Sequence, residues 1–392
     1  MKMFKLSLAT MLVAGALATS ASAVSFEEAI KDVDVSGMAR IRYTSTKNHD
    51  VDSNAVWNFR GMLNVNTKID DNFSMMVGVR YNSHNDNSYT ESTSSNGNKF
   101  DLYRGYLSYA VGGTNILFGR QRLTPVGTMF TDDMYGDGIV VLNTDIQGLI
   151  LGALFMDVLE ADGDIGARAL DPILVTVADK KKITDHNLWG AAMIGNYDPV
   201  SFQIWDAYLQ DVANLFAIEL GVNVKVSDDA SVGLKGQYAN THFDSGFIGK
   251  SAGIVDDSDF WAIQAETNFF GVDFSAGYVN YQADNKNAIS ITSFEDNGNF
   301  IVAGEELVDY SAYNGENDYW FITAGYTIPG ANVRIGADYL QGDFSNDVDG
   351  KEAVGRITYK HNKKLSFNTW YSYVKLDQDK TDTWRFEAKY TF

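Results

Sequence analysis

The sequence predicts an all-β chain that closes into a transmembrane antiparallel barrel of about eighteen strands. Three observations carry that expectation. Apolar and polar residues alternate with period two through most of the 392 residues, which puts successive side chains on opposite faces of a strand. Many of these stretches exceed the ~5–6 residues of a globular strand and suit the ~9–11 that cross a bilayer at a tilt. Short turns and long polar loops then alternate along the chain, the pattern of long extracellular loops and short periplasmic turns. A helical crossing is excluded, because no apolar run beyond the N-terminus reaches ~20 residues. The longest, Gly148 to Met156, stops at Asp157.

The N-terminus stands apart. Lys2 and Lys5 precede a mostly apolar run from Leu6 to Ala18, and Ala21-Ser22-Ala23 fits a small-residue cleavage site. Residues 1–23 are therefore expected to be a signal peptide, and residues 24–392 a single barrel domain without linker or repeat. Cleavage removes two lysines and no acid, so the mature chain is more negative than the −20 of the full sequence.

The strands follow in order. Val33, Val35, Ala39, Ile41 and Tyr43 alternate with Ser36, Met38, Arg40 and Arg42 to predict the first, 33–45; the second is 55–69. Phe73, Met75, Val77, Val79 and Tyr81 alternate with Ser74, Gly78, Arg80 and Asn82 in the third, 73–83. Next come 100–111, 115–122, 138–144, 149–158, 187–197 and 200–212, with Gly112-Gly113-Thr114 and Asp198-Pro199 among the short turns. The second half gives 213–226, 231–243, 258–270, 272–284, 316–328, 332–343, 351–362, 364–377 and 380–392. The last is the clearest: Trp384, Phe386, Ala388, Tyr390 and Phe392 against Arg385, Glu387, Lys389 and Thr391. Long loops fall at 84–99, 123–137, 159–186, 244–257 and 285–315. An even strand count returns both chain ends to the short-turn side. Aromatics near strand ends, such as Tyr81, Tyr109, Trp320, Tyr371 and Trp384, belong where interfacial girdles sit.

Composition removes several functions. With no cysteine there is no disulfide framework, thiol nucleophile or cysteine zinc site. The acidic balance argues against a nucleic-acid partner, which needs clustered Lys and Arg. A barrel hydrolase would need a serine activated by histidine, but His49, His84, His186, His242 and His361 all fall in loops or at strand ends. Gly249-Lys250-Ser251 imitates a phosphate loop, yet Asp244 occupies the position of its first glycine. No catalytic residue is expected.

Two populations of charge remain. Arg40, Arg42, Arg60, Arg80, Arg104, Arg334, Arg356 and Arg385 alternate with apolar neighbours and are expected to face the lumen. Facing lipid, each would cost about 2–4 kcal/mol at the bilayer midplane. Acids concentrate in loops instead, Asp132, Asp133 and Asp137 in the connection after the fifth strand.

Several stretches resemble the Campylobacter-type (epsilonproteobacterial) major outer membrane porins. They are Glu27-Glu28-Ala29-Ile30-Lys31-Asp32-Val33-Asp34-Val35-Ser36-Gly37, Gly119-Arg120-Gln121, Glu295-Asp296-Asn297-Gly298-Asn299, Ala303-Gly304-Glu305-Glu306, Ile335-Gly336-Ala337-Asp338 and Tyr371-Ser372-Tyr373-Val374-Lys375-Leu376-Asp377-Gln378. The resemblance implies a homotrimer of eighteen-stranded barrels in the bacterial outer membrane, in contact with lipid and lipopolysaccharide, that conducts ions and small hydrophilic solutes. It implies that Phe392 is read by the barrel-assembly machinery and that carboxylates hold Ca2+ at the pore constriction.

In porin architecture the third loop folds inward. Asp132, Asp133 and Asp137 facing Arg40, Arg42, Arg60, Arg80 and Arg104 would then set a transverse field across a cation-preferring constriction. For calcium, which takes 6–8 hard oxygens, the expected protein ligands are Asp133, Asp162, Asp164 and Glu295, drawn from a wider set with Asp132, Asp137, Glu160 and Asp296. Asp162-Gly163-Asp164 does not extend to an EF-hand, since Ile173 stands where its final Glu belongs. An adhesive or structural role for the long loops is the alternative from another class.

Overall fold

Alternation builds the wall. In a computed structural model, which describes residues 33–49, 53–83, 99–160, 186–227 and 229–392, eighteen antiparallel strands form one closed sheet. They are β1 (Val33–Asn48), β2 (Asn54–Lys68), β3 (Phe73–Asn82), β4 (Lys99–Val111), β5 (Thr114–Arg122), β6 (Tyr135–Asn143), β7 (Leu149–Leu159), β8 (Leu188–Tyr197), β9 (Val200–Leu209), β10 (Ala213–Ser227), β11 (Ala230–Phe243), β12 (Ser258–Phe269), β13 (Val272–Ala283), β16 (Glu316–Ile328), β17 (Val333–Phe344), β18 (Val348–Lys360), β19 (Leu365–Leu376) and β20 (Asp379–Thr391). The pair β14 (Ile289–Ser290) and β15 (Tyr313–Asn314) lies inside a loop, and the turn α1 (Ile248–Ser251) caps another. Each wall strand pairs with its neighbour in sequence, and all eighteen coincide with the expected stretches to within a few residues. The expected signal peptide lies outside the described residues.

Closure is made by the two ends of the chain. β1 pairs with β20 from Met38↔Thr391 to Asn48↔Thr381. Gly37 and Phe392 then exchange both backbone hydrogen bonds, each 3.1 Å. Among the described residues the eighteen-stranded wall has no open edge, which is the condition for strands to stand in hydrocarbon. Outward side chains such as Ile41, Leu220, Ile263, Ile335 and Ile357 are exposed, while inward ones such as Gln237, Glu352 and Ser372 are buried. The greasy outer band is thus a consequence of period-two alternation.

The inner surface divides into two arcs. From β1 to β4 and β18 to β20 it carries charge. Along β6 to β9 it carries Val140, Leu154, Met156, Leu188, Ala192, Trp205 and Ala207, all buried. An apolar inner wall facing water would forfeit about 1.5–3 kcal/mol for each large side chain. The loop between β5 and β6 prevents this. It turns into the barrel and lays Leu123, Val126, Met129 and Phe130 over that arc. Gly152 and Gly190 leave the space that Val126 fills, and a Cβ at Gly152 would overlap one of its methyl groups.

A second loop enters the lumen as well. It is the long polar loop expected at 285–315, which holds the candidate ligands Glu295 and Asp296. Its Phe294 N–H donates to the Phe130 carbonyl (2.7 Å) and its Asn299 N–H to the Met129 carbonyl (3.0 Å), so the two loops are bound to each other. Wall side chains bind it too: Thr241 and Ser258 hydroxyls donate to the Ile291 carbonyl (2.6 and 3.1 Å), and the Ile301 N–H donates to Gln237 (2.6 Å). Wall residues Phe260, Tyr281 and Tyr319 pack against its Phe300 and Tyr310, with the Tyr310 and Tyr319 hydroxyls 2.6 Å apart.

Candidate pore constriction

The two loops and the charged arc meet around a polar cavity of about 590 Å³. Arg40, Arg42, Arg60, Arg80 and Arg385 line one side, from β1, β2, β3 and β20. Asp132, Asp133, Glu160, Glu295, Asp296, Glu305, Glu306 and Asp309 supply the carboxylates. Strand alternation explains the first set, since Arg40 and Arg42 flank outward Ile41, and Arg385 follows outward Trp384. Loop entry explains most of the second.

Register crowds the guanidinium groups, because Arg40 sits directly across from Arg60. Like charges so placed repel, and nearby carboxylates offset this. Glu387 accepts from Arg42 Nε and Nη2 (3.0 and 2.9 Å) and lies 3.8 Å from Arg40. Asp133 lies 4.0 Å from Arg60 Nη1 and 3.2 Å from Arg122 Nε. Buried Arg80 pairs with Asp101 (2.7 Å) and with Glu160, its guanidinium facing the rings of Tyr103 and Tyr135. Arg385 reaches Glu306 at 4.0 Å and lies over the Trp370 ring at 4.7 Å.

Two expected constriction residues are placed elsewhere. Asp137 belongs to β6, which begins at Tyr135 rather than at Gly138, and its carboxylate pairs with Arg120 (2.6 Å) away from the cavity lining. Arg104 also stays out of the lining. An extra residue in β4, set against the Gly78/Val79 step of β3, turns Tyr103 and Arg104 to the same side, and Arg104 packs on the rings of Tyr103 and Tyr135. Arg385, Glu305, Glu306 and Asp309 join the lining without having been singled out for the constriction.

Glu305 and Glu306 are held by a residue that sequence reasoning missed. Glu352 of β18 is buried and points inward. Its carboxylate accepts the N–H groups of Glu305 (2.9 Å), Glu306 (3.1 Å) and Leu307 (3.1 Å) and the Ser372 hydroxyl (2.6 Å). Gly304 makes the approach possible, with φ +89° and no room for a Cβ beside the Glu352 carboxylate. The Ala303-Gly304-Glu305-Glu306 stretch was the available signal.

Of the expected calcium ligands, Asp133 and Glu295 come together: Glu295 accepts the Asp133 N–H at 2.8 Å. Asp162 and Asp164 lie outside the described residues. Among the described residues no group of three or more His, Cys, Asp or Glu is placed to hold a metal, and Asp133 is already engaged by arginine. These residues alone do not make the 6–8-oxygen shell that calcium takes.

Glu295 has an electrostatic consequence of its own. Burial pushes its carboxyl up to about 8; the Asp133 N–H opposes the rise, and Asp296, Asp133 and Asp132 add to it. At neutral pH it is therefore mostly uncharged, and raising the pH adds a negative charge to the lining. Cation preference should increase between roughly pH 7 and 9 in reversal-potential recordings, and Glu295→Gln should flatten that rise. An identical rise in the variant would assign it to another group.

The comparisons with known proteins agree with this geometry. The family model described as Campylobacter major outer membrane protein matches residues 1–392. No curated protein matches. Among solved structures, Pseudomonas aeruginosa OccK8 (OprE) is similar with a TM-score of 0.76 at 15% identity, covering 93% of this chain and 99% of that one. Pseudomonas aeruginosa OccK9 (OpdG) gives 0.74 at 14%, covering 93% and 99%, and Acinetobacter baumannii OccAB4 gives 0.72 at 12%, covering 92% and 98%. At such identities they share the fold. The family match over the whole chain, together with the closed eighteen-stranded wall, makes this protein a member of the Campylobacter major outer membrane protein family, a porin barrel of the outer membrane.

Proposed function

We propose that the barrel is a general-diffusion pore, passing ions and small hydrophilic solutes passively and preferring cations, with its constriction between the arginine arc and the two inward loops. The charge census of the lining carries the reading: eight carboxyl groups, of which Glu295 is mostly protonated near neutrality, against five guanidiniums. Such fixed charges in a narrow, low-dielectric passage set selectivity without any conformational step. No catalytic group is required. The reading includes a homotrimer, lipid and lipopolysaccharide around the wall, and Phe392 as assembly signal, which its place in the closing seam suits.

Planar-bilayer recording tests it. Purified protein should insert in steps of three conductance units, and a salt gradient should give a reversal potential of cation-selective sign. Anion-selective sign, or a folded preparation without conductance, would refute it. Calcium is implied by the resemblance, and of its expected ligands Asp133 and Glu295 are the two that lie together. A chelator in the same recordings should then alter conductance and lower the melting temperature, because a ligand of the folded state stabilises it.

A further inference from the structure

Below the constriction the charges do not end. One register-paired row crosses six strands: Arg385 of β20 faces Trp370 of β19, which faces Arg356 of β18, then Gly336 of β17, Gly325 of β16 and Asp273 of β13. Strand tilt makes the row descend. Arg385 lies mid-strand at the constriction, Arg356 is nearer the short-turn end of β18, and Asp273 is the second residue of β13. Each guanidinium on this path has an acid beside it. Arg385 has Glu306 at 4.0 Å; Arg356 has Glu305 at 2.8 Å and Asp338 at 2.6 Å. Arg334, at the start of β17, pairs with Asp273. The glycines of the row give the last pair its room, since a Cβ at Gly325 would overlap the Arg334 guanidinium. A second cavity of about 110 Å³ lies there, lined by Asp273, Thr323, Gly325, Arg334, Asp338 and Arg356 among others.

We infer that this row is a track for zwitterionic solutes, free amino acids and short peptides that carry a carboxylate and an ammonium group together. The inference rests on the pore reading and names the solute class that the pore favours. At each rung such a solute exchanges partners: its carboxylate takes the guanidinium fork and its ammonium takes the released acid. The pair is replaced by two pairs, and no charge is stranded. An uncharged polyol offers no such exchange, and a simple ion meets one attractive and one repulsive group. Access is greatest at the last rung, with Arg334 and Asp273 at 46% and 43% exposed, and smaller at Arg356 and Asp338, at 25% and 10%. The exposed Arg334–Asp273 pair is weak, so a solute is released at that rung instead of being trapped.

Liposome swelling with threonine and erythritol, nearly equal in size and both without net charge, tests the inference. Threonine should enter about two- to fivefold faster, the factor that weak exposed ion pairs supply. The charge-balanced double variant Arg334→Gln, Asp273→Asn should bring the ratio of the two rates toward one, with erythritol as the internal reference. Equal rates in the unaltered protein would overturn the track, as would an undiminished threonine excess in the double variant. Failure of both solutes to enter would strike the pore reading itself, a result the ratio distinguishes.

Discussion

Alanine at position 352 should turn a steady channel into a wider, flickering one. Glu352 is 1% exposed and satisfies three backbone N–H groups and one hydroxyl. Removing the carboxylate leaves those donors without their acceptor in a buried site, a loss on the order of 3–5 kcal/mol for a broken buried charged network. The segment around Gly304 to Leu307 would leave the wall and withdraw Glu305 and Glu306 from Arg356 and Arg385. Single-channel recording should show higher mean conductance and added open-channel noise. Glu352→Gln keeps one acceptor oxygen and should fall between. Unchanged traces from a folded Glu352→Ala barrel would show that the loop is held by its aromatic packing alone.

Neutralising four lining acids should reverse the sign of selectivity. Asp132→Asn, Asp133→Asn, Glu305→Gln and Glu306→Gln together leave four carboxylates facing five guanidiniums in place of eight. Glu295 is mostly protonated near neutrality, which tilts the remaining balance further toward positive. The cation-to-anion permeability ratio should fall roughly tenfold, equivalent to about 1.4 kcal/mol, and cross unity. Either loop's pair alone should move the reversal potential part of the way. A quadruple variant that keeps its cation preference would place the filter elsewhere in the lumen.

The wall was legible because its signal is local. Inside and outside alternate residue by residue, so Trp384, Phe386 and Ala388 against Arg385 and Glu387 declare both a strand and its two faces. The same rule pointed Arg40, Arg42, Arg60 and Arg80 at the lumen. It held for Arg104 too, which pairs across from inward Gly78, although the extra residue in β4 seats it on the rings of Tyr103 and Tyr135 and out of the cavity lining. It misplaced Asp137 because the apolar stretch starts at Ile139, while β6 continues upstream through Gly136 to Tyr135. What anchors the second inward loop was hidden for a different reason. Its partners, Gln237, Thr241 and Glu352, are far away in sequence, and residues such as Phe294, Phe300 and Tyr310 follow no strand period. Glu352 looked like one more inward polar residue, since its importance lies in backbone groups that only the folded loop brings to it.

On the proposed function, residues 284–315 line a water-filled passage through the barrel. The chain has no cysteine, so a single introduced thiol is a unique reporter. With Glu306→Cys in a planar bilayer, a bulky, membrane-impermeant thiol reagent should cut the open-channel current in discrete steps. Ile263→Cys, on the outer face, should give no such steps. Current that is indifferent to modification of a Glu306→Cys channel, with labelling confirmed by mass, would place the passage away from this loop.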